Sequence, residues 1–170
     1  TVHLCGTITC SAIQTNGLTT QASGSAGNVI TIKFETDAKM TCGAWGTNDG
    51  TRSNGGAIAI KHDYITVDGG TNGIIENTAN GDALANSVIS AGITYSSSHV
   101  EIKNLVIQNI WVKTPYGAAS SIETDSILGT NVAHSDINIH HNTMDDASSH
   151  ITHIYTSTPG QTGLYWHHNT

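Results

Sequence analysis

Short runs of alternating apolar and polar residues recur along the chain. Val29-Ile30-Thr31-Ile32, Tyr64-Ile65-Thr66-Val67, His99-Val100-Glu101-Ile102, Asp136-Ile137-Asn138-Ile139 and Gly163-Leu164-Tyr165-Trp166 each set two apolar side chains on one face of a strand. Successive side chains of an extended chain point to opposite sides, so this is the pattern of a strand buried on one face. The spacing between first inward positions is 35 residues from Ile30 to Ile65, 35 to Val100, 37 to Ile137 and 27 to Leu164. A repeat of this length predicts stacked supersecondary units.

Each unit holds further short apolar segments. Ala57-Ile58-Ala59-Ile60, Gly92-Ile93-Thr94-Tyr95 and His153-Ile154-Tyr155 come before the main strands, and Ile74-Ile75, Leu105 to Trp111 and Thr143-Met144 come after them. Three short strands per unit, separated by bends, describe a coil with three faces. No helical pattern of 10 to 15 residues intervenes, which argues against alternating strands and helices. The chain is expected to wind as a solenoid with rungs about 4.8 Å apart, so that equivalent residues form ladders. Ile65, Val100, Ile137 and Leu164 should make one buried stack, and Val67, Ile102, Ile139 and Trp166 a second. Asn142 and Asn169 should stack in a bend, where side-chain amides bond along the column. Thr66, Glu101, Asn138 and Tyr165 should form one outward ladder, and Asp68, Lys103, His140 and His167 another.

Composition agrees with an all-β chain. Only 11% of the 170 residues are charged, Gly occurs 18 times and Pro twice, and Arg52 is the sole arginine. One domain over residues 1–170 follows from the length. A net charge of −7 with no basic run removes the electrostatic footprint that nucleic acid or an anionic membrane requires. No apolar stretch of about 18 residues spans a bilayer. The Thr- and Asn-rich, Lys-poor make-up points to an extracellular protein, secreted or surface-displayed.

The segments Val100-Glu101-Ile102-Lys103-Asn104-Leu105-Val106-Ile107, Ile137-Asn138-Ile139-His140-His141-Asn142-Thr143-Met144 and Leu164-Tyr165-Trp166-His167-His168-Asn169-Thr170 resemble successive coils of the right-handed parallel β-helix, the pectate-lyase-like superfamily. Thr1 to Ile8 and Ile65-Thr66-Val67-Asp68-Gly69-Gly70 resemble early coils of the same family. The resemblance implies a three-faced, right-handed solenoid associated with carbohydrate. Lyases, hydrolases, tailspikes and adhesins share that scaffold, so activity has to come from a site.

Ten histidines are the main chemical candidates. The pairs His140-His141 and His167-His168 fall at the same coil phase, 27 residues apart, and two imidazoles from adjacent rungs, His140 and His167, with Asp145 or Asp146 as a third ligand would suit a divalent metal ion. The competing reading is a solvated polar ladder. Asp145-Asp146 is a pair of carboxylates, but adjacent strand residues face opposite ways, and a turn suits them better than the paired acids of a glycosidase. Of the polygalacturonase branch's Asn-Thr-Asp, Asp-Asp, His-Gly and Arg-Ile-Lys sequences only Asp-Asp is present, and Arg52 has no lyase motif around it. Trp45, Trp111, Tyr116 and Tyr165 offer rings for sugar faces, but packing is the favoured alternative, as where Trp111 continues the apolar run Leu105-Val106-Ile107. Cys10 and Cys42, 32 residues apart and so about one coil, suit either a disulfide or a stack of thiols, and Cys5 makes the count odd.

The chain starts on a strand pattern at Val2-His3-Leu4 and stops in mid-coil at Trp166 to Thr170, so both ends read as uncapped. Two readings follow: a piece of a longer solenoid, or ends that associate head-to-tail with other copies. The functional expectation is polysaccharide binding, or lyase- or hydrolase-like degradation. The alternative is a structural solenoid that forms end-to-end filaments, or a surface adhesin.

Overall fold

A computed structural model describes residues 1–10, 12–47, 55–79, 89–110, 124–130, 133–145, 147, 150–155 and 162–170. Arg52, Trp111, Tyr116 and Asp146 lie outside the described residues. In chain order the strands are β1 (Val2–Leu4), β2 (Thr7–Thr9), β3 (Ile13–Gln14), β4 (Leu18–Thr19), β5 (Ile30–Phe34), β6 (Lys39–Cys42), β7 (Ala44–Thr47) and β8 (Ile58–Ile60). They continue as β9 (Ile65–Asn77), β10 (Ile89–Tyr95), β11 (Val100–Gln108), β12 (Asp125–Thr130), β13 (Ser135–His140), β14 (Thr143–Met144), β15 (His150–Tyr155) and β16 (Thr162–His167). No helix occurs among the described residues.

The strands stack into a parallel β-solenoid. One sheet runs β1-β5-β9-β11-β13-β16, and a second links β15-β12-β10 to β8 and β4. Every pairing between named strands is parallel except β7 with β10. In the first sheet Ile30 pairs with Ile65, Ile65 with Val100, Val100 with Ile137 and Ile137 with Leu164, the register that the alternating pattern predicts. A shift of one residue would turn each of these side chains to the other face, so burial of one face selects the register.

The interior is a set of apolar columns. Ile65, Val100 and Ile137 are buried, as are Val67, Ile102 and Ile139 beside them. Two more columns are Met40-Ile75-Ile107-Met144 and Ile58-Ile93-Ile127. Burying one such side chain stabilises the fold by roughly 1.5–3 kcal/mol. Leu164 and Trp166 depart from the expectation of a fully buried stack, each being 44% exposed. They keep the inward register through the pairing of β16 with β13, which among the described residues covers one side of each.

The bends are built from left-handed residues. Tyr64, His99, Asp136 and Gly163 share one register position at the start of the long sheet, and all have φ between 55° and 65°. Asn104, His141 and His168 form a second such column just after it, with φ of 58°, 55° and 53°. One left-handed residue turns the strand sharply, and the following position points inward: Leu105, Asn142 and Asn169. Gly129 has a packing role, because a Cβ there would come within 2.5 Å of the Tyr95 ring, which fills the interior opposite it. Cys10 and Cys42 form a disulfide between adjacent rungs, Cα to Cα 4.7 Å, and Cys5 is an exposed free thiol.

Candidate functional site

The outward surface of the long sheet carries the polar ladders. In register, His3, Lys33, Asp68, Lys103, His140 and His167 make one row. Thr31, Thr66, Glu101, Asn138 and Tyr165 make the other. Both outward ladders predicted from the alternation are thus present.

Glu101 is the hub of this surface. Its Oε2 accepts from Thr66 Oγ1 at 3.2 Å and from Lys103 Nζ at 2.9 Å, and its Oε1 lies 3.0 Å from His140 Nε2. Partial burial raises its pKa, but the bonds from His140, Lys103 and Thr66 outweigh that and hold the carboxyl below its ordinary value. Asp68 behaves alike: desolvation pushes it up, while the Asn104 amide, the Gly70 N–H and the charges of Lys103 and Lys33 bring it down.

At the β16 end of the surface, four imidazoles meet. His140 and His167 stack across the rung, ring centroids 4.9 Å apart and planes 7° from parallel, and His141 stacks on His168 at 4.8 Å and 16°. Within each rung the two rings are nearly perpendicular, and their Nδ1 atoms lie 2.7 Å apart in His140-His141 and 2.8 Å in His167-His168. His140 is half-buried, while His141 and His167 are exposed, and ligand atoms of the three all lie within 4.8 Å of one another. His167 is held below its ordinary pKa by desolvation among its neighbours and then by His140, His168 and His141.

His140 and His167 therefore come together as predicted. Asp145 lies beyond β14, its backbone N–H donating to Ile107 C=O at 2.9 Å, and is not a member of the imidazole group. His141 stands in the group instead. Strand alternation assigns neighbouring residues to opposite faces and so separates the His140-His141 pair into one ligand and one bystander; the positive φ at His141 brings its ring beside that of His140. The signal available in the sequence was the repeated His-His-Asn triplet, because one triplet occurring twice at the same coil phase marks a shared bend.

The aromatic candidates separate. Trp45 is buried in the core, its Nε1 donating to Glu76 C=O at 3.0 Å, so it is a packing residue and offers no ring to a ligand. Tyr165 is 59% exposed in the outward row. Trp111 and Tyr116 fall outside the described residues. His153 lies 3.6 Å from the buried Asp125 carboxylate, and its side chain is only partly exposed.

No protein-family model, curated protein or solved structure matches this chain.

Proposed function

We propose that this chain is an extracellular, carbohydrate-associated β-solenoid, a right-handed, three-faced member of the pectate-lyase-like class, which binds polysaccharide along the outward surface of its long sheet. The observation that carries the reading is Tyr165, whose ring is 59% exposed at the end of a polar row containing Thr31, Thr66, Glu101 and Asn138. An exposed ring offers an apolar plane to a sugar face, and the row beside it offers hydroxyl, amide and carboxylate groups to sugar hydroxyls. The Cys10–Cys42 disulfide supports an oxidising, extracellular setting.

Glu101 and Asp68, the carboxylates of this surface, do not fit the proton donor of a glycosidase. A glycosidase keeps one acid protonated at working pH through a raised pKa. Glu101 and Asp68 are both lowered and hydrogen-bonded within the chain. Affinity gel electrophoresis through gels cast with neutral or acidic polysaccharides tests the reading, with product release followed in parallel. At least one polysaccharide should retard the protein without being degraded, and Tyr165→Ala should abolish the retardation. Unretarded migration through every gel, or equal retardation of Tyr165→Ala, would overturn it.

A further inference from the structure

The imidazole group carries an inference independent of sugar binding. We propose that His140, His141 and His167 form a binding site for a divalent transition-metal ion of the zinc and copper class, with Glu101 fixing His140 from behind as an outer support.

Three observations converge on this site. First, the ligand atoms of His140, His141 and His167 lie within 4.8 Å of one another, on two adjacent rungs of a hydrogen-bonded sheet. A metal bound to imidazole nitrogens at about 2.0–2.1 Å needs donors gathered on this scale. The backbone already gathers them: His140 pairs with His167 in the ladder, and the left-handed bend turns His141 back beside His140.

Second, the proton on His140 has a defined place. Glu101 Oε1 sits 3.0 Å from His140 Nε2, and a carboxylate oxygen at that distance accepts the Nε2 hydrogen. In the neutral ring Nδ1 is then the bare nitrogen, and Nδ1 is the atom that faces His141 Nδ1 at 2.7 Å. Carboxylate to imidazole to metal is the arrangement by which outer groups orient metal-binding histidines and raise their basicity. Glu101 is itself held by Thr66 and Lys103, so this support is rigid.

Third, the donor set selects the class of ion. Three imidazoles with no carboxylate oxygen among them suit zinc, copper or nickel, whereas calcium and magnesium require oxygen ligands. With two of the three rings exposed, a further coordination position stays open to water or to a small ligand.

Isothermal titration of the full 170-residue chain with zinc chloride at neutral pH tests the site, with calcium chloride as comparison and with cobalt absorption reporting the coordination. One zinc per chain is expected, no calcium, and a cobalt spectrum of low-symmetry nitrogen coordination. His141→Ala, at an exposed ring that leaves the core untouched, should weaken zinc binding at least tenfold while circular dichroism shows the variant still folded. Glu101→Gln should weaken it by about 10–100-fold, the range seen when an outer partner is lost. The proposal falls if zinc gives no saturable binding, if calcium competes equally, or if His141→Ala and His167→Ala each bind zinc as the unaltered chain does.

Discussion

Asn142 and Asn169 repeat one bonding pattern a single rung apart. The Oδ1 of Asn142 accepts the Leu105 N–H at 3.0 Å and its Nδ2 donates to Ile102 C=O at 3.0 Å. The Oδ1 of Asn169 accepts the Asn142 N–H at 3.0 Å and its Nδ2 donates to Ile139 C=O at 2.9 Å. The Asn142 Nδ2 also donates to Asn169 Oδ1 at 3.0 Å, so the two amides form a continuous ladder. A tight bend interrupts the backbone hydrogen bonding of the sheet, and this ladder satisfies the groups left over.

Asn142→Ala strips a buried N–H and a buried C=O of their partners, and each orphaned group costs roughly 1–3 kcal/mol. Chemical denaturation should show a loss of that order. Asn142→Asp keeps the acceptor but not the donor and should recover only part of it; an unchanged midpoint for the alanine variant would refute the ladder's role.

Ile102 is fully buried between Val67 and Ile139. Ile102→Ala should cost about 2–5 kcal/mol, and Ile102→Asp more, because an unpaired carboxylate then sits in an apolar column. Circular dichroism melts of the two variants check the order, with the aspartate variant expected to lose cooperative unfolding first.

Asp68 supplies a pH dependence with a definite sign. Its folded pKa lies below the ordinary 3.8, so the folded chain binds fewer protons than the unfolded chain in acid. Its contribution is fully present above the unfolded value and is lost as pH falls through the folded one. Asp68→Asn should lower the Tm at neutral pH and flatten part of the decline below about pH 4, the ordinary range for a carboxyl. Parallel acid-side declines in the two proteins would argue against this role.

Thiol counting tests the rung-to-rung disulfide. The folded chain should give one reactive thiol, Cys5, and three after reduction and unfolding. Closing a loop with a sequence separation of 32 contributes roughly 3–4 kcal/mol in the chain-entropy picture, so reduction should lower the Tm markedly. Three thiols in the folded, unreduced protein would contradict the pairing.

The alternation around Ile65, Val100 and Ile137 determined the solenoid, its register and both outward ladders, because a strand buried on one face can satisfy its side chains in only one phase. The Asn142-Asn169 stack was legible for the same reason: equal phase means vertical contact. Three things were decided only in the folded chain. Trp45 reads the same in sequence whether it closes a core or greets a ligand, and its burial depends on the walls that neighbouring rungs supply. Leu164 and Trp166 keep their inward register yet are part-exposed, since the right phase sets the direction of a side chain and its neighbours set its burial. His141 joins His140 because a left-handed backbone conformation, which Asn104 and His168 share in the same column, overrides strand parity. Periodicity specifies which residues share a column; the backbone at the turns decides which columns meet.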